Sequence, residues 1–235
     1  MRPFWIEQAL FNDGDLAPAL QGETSADVCI VGGGFTGLWT AIQAKLQAPS
    51  LDIVILESDL CGAGASGRNG GCLLTWSAKF LTLQRLFGED EAVRLVKASE
   101  AAVGHIADFC AAHNIDAELR RDGTLYTATS QAQIGTLDPM MQALEARGIH
   151  SYHALSPDEV ARRSGSARNL AGVYSPIAAT VHPGKLVRGL RRVALAMGIR
   201  IHERTPMLDF STEQPVLVHT PTGRVRAKKL VLAMN

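Results

Sequence analysis

The stretch "DVCIVGGGFTGLWTA", Asp27 to Ala41, decides the reading of this chain. It opens on a short, mostly apolar run that suits a buried parallel strand. Gly32-x-Gly34-x-x-Gly37 follows, and "LWTAIQAKLQA" then places Leu38, Ile42 and Leu46 on one helical face, stopping before Pro49. "DIVILE", 52–57, is a second buried strand. Together they make a βαβ unit, whose crossover is expected to be right-handed. Gly32 permits the tight turn, Gly34 lets a pyrophosphate come close, and Gly37 lets helix pack on strand. The helix N-terminus offers N–H groups and partial positive charge to phosphates. Glu57 stands about 20 residues beyond Gly37, where its carboxylate can accept hydrogen bonds from an adenosine ribose. A glycine turn alone is weak evidence. With strand, helix and acid in place it marks a dinucleotide site rather than a turn without a ligand.

The next stretch, "CGAGASGRNGGC", Cys61 to Cys72, holds five glycines. It follows the ribose-binding position directly, so it is expected to lie beside the nucleotide. Its glycines let the backbone run along an extended ligand. Ser66 and Arg68 can donate to a pyrophosphate, and successive backbone N–H groups can form an anion-binding concavity. A nicotinamide dinucleotide does not ordinarily need this second segment, whereas a flavin dinucleotide held along its whole length does. The competing reading is a flexible surface loop.

At these residues the chain resembles a known family. "DVCIVGGGFTGLWTA", "VILES" and "GAGASGRNGG" are similar to the FAD-dependent amine oxidases of the D-amino-acid-oxidase superfamily, nearest the γ-glutamylputrescine oxidase branch, with glycine oxidase and sarcosine oxidase as wider relatives. "TVHPGKLVRGLRRVALAMGIRIHERTPM" resembles a later family helix and the strand that reaches the adenine, and "KKLVLAMN" the next cofactor strand. The resemblance implies roles by position. Gly32, Gly34, Phe35, Thr36 and Gly37 would hold the pyrophosphate, Glu57 the ribose, and Ser58 would sit on the adenine side. Ala65, Ser66 and Arg68 would continue along the phosphates, while Asn69, Gly70 and Gly71 would lead towards the flavin ring. Met207 would contact adenine through its backbone, and Ala233 would line the cofactor strand. Cys72 stands where the close branch commonly has glutamine. A redox or covalent flavin role competes there with a small buried residue, the favoured reading.

The remainder of the sequence bounds the answer. Lys+Arg and Asp+Glu are 23 each, and this balance argues against a general nucleic-acid or membrane-surface binder. No apolar run reaches the roughly 18 residues of a membrane span. The first residues lack the apolar centre of a secretory signal. Four cysteines without a C-x-x-C pair suit reduced thiols in a cytoplasmic protein. The seven histidines show no metal-ligand spacing, so no metal is expected. No G-x-S-x-G elbow supports hydrolysis. His182 reads as a capping or packing residue in preference to a base. Lys185, Arg188, Arg191 and Arg192 form a candidate phosphate patch, with a solvated helix face as the favoured alternative.

Residues 1–25 read as an irregular arm anchored by Phe4, Trp5 and Phe11. Helices are expected over 78–114, near 131–147, at "SPDEVARRSG" and at "HPGKLVRGLRRVALAMG". Two short strands are expected around Asp122-Gly123, with further strands at "AGVYSP", "IRIHE", "PVLVHT", "RVRA" and "KLVLAM". The expected fold is α/β: an FAD-binding, Rossmann-like domain of glutathione-reductase type, built from 1–115 and 183–235, with 116–182 beginning a mixed α+β substrate domain. Because the last strand stops at Asn235, the chain is expected to be the front part of a longer protein, and alone inactive. The resemblance implies an oxidoreductase that oxidises a primary or secondary amine. A hydride passes to FAD, the imine hydrolyses, and oxygen reoxidises the flavin to give peroxide. No catalytic base is assigned in these residues. The rivals are an NAD(P)-dependent dehydrogenase, which a visible flavin spectrum would exclude, and a non-catalytic flavin-binding fragment or subunit.

Overall fold

The computed structural model describes residues 2–11 and 16–234. Residues 12–15 of the expected arm, and residue 235 after the last strand, lie outside the described residues. In chain order the helices are α1 (Phe4–Phe11), α2 (Phe35–Gln47), α3 (Phe80–Phe87), α4 (Glu89–Ala112), α5 (Asp138–Glu145), α6 (Pro157–Ser164) and α7 (Pro183–Ala196). The strands are β1 (Gly22–Val31), β2 (Ile53–Leu56), β3 (Cys72–Leu73), β4 (Thr124–Ala128), β5 (His153–Leu155), β6 (Ala171–Ser175), β7 (Ala179–Thr180), β8 (Arg200–His202), β9 (Asp209–Phe210), β10 (Val216–Thr220) and β11 (Gly223–Leu232). Two compact units result, one from 1–70, 112–117 and 182–235, the other from 71–111 and 118–181. Segment 71–111 thus groups with the middle of the chain, where the sequence suggested one piece over 1–115.

The first unit is a six-stranded sheet in the order β8-β2-β1-β11-β10-β9. β8, β2, β1 and β11 run parallel, β10 pairs antiparallel with β11, and β9 pairs antiparallel with β10. β2 is buried at all four positions because it is covered on both faces. Val54 and Leu56 join Cys29, Val31, Val218 and Val225 in one apolar cluster. On α2, Leu38, Ala41 and Ile42 are buried, and the helix packs beside α7. No helix among the described residues is long and apolar enough to cross a membrane.

Several elements differ from the sequence reading. The expected irregular arm contains α1, and β1 begins at Gly22 rather than at Asp27. Its extra residues pair with the first half of β11, from Gly22↔Gly223 onward. "RVRA" and "KLVLAM" are one strand, because Lys228 and Lys229 continue the ladder instead of breaking it. The long helix expected over 78–114 is split at Gly88, whose φ of 84° ends α3 before α4 begins. The helix expected near 131–147 is a 3₁₀ turn over Gln131–Gln133 followed by α5, with Gly135 at φ 75° between them. Of the two strands expected around Asp122-Gly123, only β4 forms. Arg120 bridges to Thr180, and the Gly123 N–H donates to Ala178 O, so the upstream arm pairs elsewhere.

α7 departs most from expectation. His182 caps it, its Nδ1 accepting the Lys185 N–H at 3.1 Å while Nε2 faces Gln8 Oε1 at 3.3 Å. Arg192 is exposed and Lys185 half-buried, but Arg188 and Arg191 are 1% and 0% exposed. Those two are neither a solvated face nor a surface phosphate patch. Both donate to Glu203, which is itself fully buried at the end of β8. Burial alone would raise the Glu203 carboxyl. The Cys61 and Ala17 N–H donors and the Arg191 and Arg188 charges more than offset this and hold it below its ordinary 4.5. A group lowered on folding contributes stability that is present above its unfolded value and lost as pH falls through its folded one. Urea unfolding between about pH 3 and 7 should therefore show wild-type stability falling on the acid side of about 4.5, with a shallower slope in Glu203→Gln.

The second unit holds an antiparallel sheet, β4-β6-β5, and the β3–β7 pair. Phe80, Leu83, Val96, Met140 and Leu144 form an apolar core where α3, α4 and α5 meet. Cys72, expected to be buried, is exposed on β3.

Candidate dinucleotide site

The site grows from the turn between β1 and α2. Gly32 sits at φ +112°, a conformation that L side chains rarely adopt, and a Cβ there would lie 2.5 Å from the Ala233 oxygen. The end of β11 therefore closes on the turn from one side. Gly34 is the cap of α2 and supplies no side-chain oxygen to it. The first N–H groups of any helix lack intrahelical acceptors, so this turn presents donors. One of them, Phe35 N–H, is taken by Ser66 Oγ at 2.8 Å.

Glu57 follows β2 and reaches back across the turn. Its Oε2 accepts the Gly33 N–H at 2.7 Å, and its Oε1 accepts the Asp59 N–H at 2.9 Å and the Ser58 hydroxyl at 3.1 Å. A carboxylate offers about four lone-pair positions, so these three donors leave room for one more. Glu57 thus fixes the first glycine turn while keeping acceptor capacity towards the cavity.

The second glycine-rich segment folds over the same point. Ala65–Gly67 is a 3₁₀ turn, held by Asn69 Nδ2 donating to Ala65 O at 3.2 Å and Ser66 O at 2.8 Å. Arg68 Nε donates to Ala63 O at 2.9 Å. Two of the glycines face the protein, not open space. A Cβ on Gly62, at φ +91°, would meet Val187 of α7 at 2.3 Å, and one on Gly67 would meet Gly62 O at 2.4 Å and Ile6 of α1 at 2.5 Å. The expectation that glycines here serve a ligand's approach is corrected for these two: α7 and α1 come close enough to exclude side chains. Beside the turn, burial pushes the Cys61 thiol well above its ordinary range, so it stays protonated.

These pieces enclose a cavity of about 520 Å³. From the first turn Gly32, Gly34, Phe35 and Thr36 line it. Glu57 and Ser58 line it at the end of β2, and Ala65, Ser66, Arg68 and Asn69 from the second segment, with Ala233 beyond β11. Four expected residues are not in its wall. Gly37 is buried inside α2. Met207 packs its side chain against the apolar cluster of the sheet. Gly70 lies past the wall, and Gly71 belongs to the other compact unit. The sequence reading missed Asp59, Gly62, Ala63, Gly64 and Met234. Three of these, Asp59, Gly64 and Met234, are direct sequence neighbours of expected residues. The signal was continuity: most of 57–69 lines one wall, of which the motifs mark the two ends, 57–58 and 65–69.

The fold is shared with known proteins. The chain is similar to gamma-glutamylputrescine oxidoreductase of Escherichia coli K12, at 30% identity over 92% of this chain and 50% of that one. Among solved structures it superimposes on L-amino acid deaminase from Proteus myxofaciens with a TM-score of 0.77, at 16% identity over 93% of this chain and 47% of that one. Glycine oxidase from Geobacillus kaustophilus gives 0.73, at 23% identity over 89% and 55%. At such identities the two structures establish the fold. The chain spans about half the length of the curated relatives it matches. The model of the family described as DAO, FAD dependent oxidoreductase, matches residues 27–235, and the chain belongs to that family of FAD-dependent flavoproteins.

Proposed function

We propose that the cavity of the first unit holds FAD, and that the whole protein oxidises a primary or secondary amine to the imine, with oxygen as electron acceptor. One observation carries the cofactor site: two glycine-rich segments meet at the N-terminus of α2, where Ser66 is bonded to Phe35 N–H and Glu57 to Gly33 N–H. The donor set fits a dinucleotide. The first turn of α2, Thr36 and the Ser66 hydroxyl face the cavity as donors, and Arg68 adds positive charge for phosphates. Glu57 has acceptor capacity for a ribose hydroxyl. Ser58 and the backbone of Met207 are assigned to the adenine side, and Gly70 and Gly71 to the flavin side. Bound FAD would supply two-electron oxidation of a C–N bond. The chain's own part is to hold the phosphates, keep the loop rigid and exclude water from the cofactor's length. The substrate class rests on the relative named for γ-glutamylputrescine, an amine. Segments 71–111 and 118–181 are assigned to substrate binding.

The test uses the full-length protein. Cofactor released by heat should co-elute with FAD on chromatography, and a panel of amines should yield peroxide in air. FMN or NADP in the eluate overturns the cofactor assignment. Anaerobic bleaching by an amine without peroxide in air replaces oxygen by another acceptor.

A further inference from the structure

Glu203 lies outside the cavity, yet it holds the cavity's wall. Its Oε1 accepts the Cys61 N–H at 2.9 Å, Arg188 Nη1 at 2.9 Å and Arg191 Nε at 3.1 Å. Its Oε2 accepts the Ala17 N–H at 2.8 Å and Arg191 Nη2 at 3.2 Å. Cys61 immediately precedes Gly62, where the second glycine-rich segment enters the cavity wall. Backbone bonds from Arg204 N to Asp59 O and from Thr205 N to Glu57 O tie the chain up to residue 59. Beyond that point the Cys61 N–H is satisfied by the Glu203 side chain. Arg188 follows Val187, the residue against which Gly62 packs. Helix, strand end and loop are therefore joined at one buried point.

Such a cluster is a poor device for stability alone. Desolvating three charged groups costs several kcal/mol each, and apolar residues of similar volume are often as stable or more so. An apolar replacement has no acceptor for the N–H groups of Cys61 and Ala17, which sit in irregular segments and must be paired when buried. From this geometry we infer that Glu203, oriented by Arg188 and Arg191, is a positioning residue that sets the path of the second glycine-rich segment and thereby the affinity for FAD. The inference rests on the proposed cofactor site.

The experiment compares the full-length wild-type protein, Glu203→Gln, and the triple variant Arg188→Met, Arg191→Met, Glu203→Met. FAD affinity is measured by fluorescence titration of the apoprotein, stability by thermal melting, and loop order by hydrogen exchange of peptides covering 57–70. The triple variant should fold, with a melting temperature lowered by no more than its two orphaned N–H groups demand, bind FAD at least about tenfold more weakly, and exchange faster over 60–66 without change in peptides from α2. A wild-type dissociation constant and unchanged loop exchange in a folded triple variant overturn the inference. If the triple variant does not fold, Glu203→Gln decides. Its amide can serve one of the two N–H donors but not both, so weaker FAD binding with faster loop exchange supports the positioning role. Unchanged values for both sink it. A wild-type protein that binds no FAD refutes the cofactor site instead, and the exchange comparison still reads the loop.

Discussion

Gly37→Ala should yield a protein that is strongly destabilised and nearly free of flavin. A Cβ at that position would lie 1.9 Å from the Gly32 carbonyl oxygen and 3.4 Å from the Ile30 side chain. The first is a backbone atom in a turn already fixed at φ +112° and pressed by Ala233, so it cannot step aside. Relief requires α2 to lift from β1, which opens the contact between Leu38, Ala41 and Ile42 and the sheet. Overpacking of this kind costs about 3 kcal/mol or more. For a chain of this size that corresponds to a melting temperature lower by roughly 10 °C. The same lift moves the first turn of α2 away from the cavity. Gly104→Ala is the control: it lies inside α4 away from the cavity and a Cβ there meets nothing within 4 Å, so it should leave flavin content unchanged and not lower stability. Thermal melting and flavin absorbance per protein check both. Equal values for the two variants would mean that the helix and strand are not in this close contact.

Glu57 variants should lose FAD in a graded way. The carboxylate accepts from Gly33, Ser58 and Asp59, so it organises the turn before any ligand arrives. In Glu57→Gln the amide NH₂ must confront the Gly33 or the Asp59 N–H, donor against donor. Losing charge-assisted bonds of this kind is worth about 1.5–3 kcal/mol, so FAD should bind on the order of tenfold to a hundredfold more weakly. Glu57→Arg adds a cation among donors and leaves all three unpaired, and should hold no flavin after gel filtration. Titration of apoprotein with FAD measures both. One dissociation constant shared by wild type and both variants would remove Glu57 from the site.

The βαβ core and the cavity's first half were legible because their signals are local. An apolar run, three glycines and an acid lie within about thirty residues, and each has one physical reading. What escaped depends on distant partners. Nothing in "RVRAKKLVL" says that both halves form one strand; that follows from a ten-residue β1 beside it. Arg188 and Arg191 look like surface charge because their partner, Glu203, stands beyond a turn and at the end of a different strand. A signal was present: two arginines three residues apart beside the stripe Leu186, Leu190 and Val193, followed by a lone acid after "IRIH". In the sequence the glycines of 61–72 look like one class. The structure divides them, because Gly62 and Gly67 turn towards α7 and α1, a direction that sequence does not carry. Short elements such as α1 and β7 fell below any periodic signal.

β1 lies at the centre of the sheet, and its neighbour β11 is drawn from about 200 residues further along. A ribosome adding about 5–20 residues per second needs roughly 10–40 s to cover that distance. Throughout that interval β1 has β2 on one side only, and a central apolar strand waits with its other edge unpaired. The first unit therefore cannot close while the second is being made. The intervening residues, 71–111 and 118–181, are free to fold first as a group of helices and antiparallel strands whose partners all lie within those residues. In the cell, the nascent chain should depend on whatever shields an open strand edge for that half-minute, and slowing translation between residues 120 and 220 should lower the yield of folded protein more than slowing it earlier.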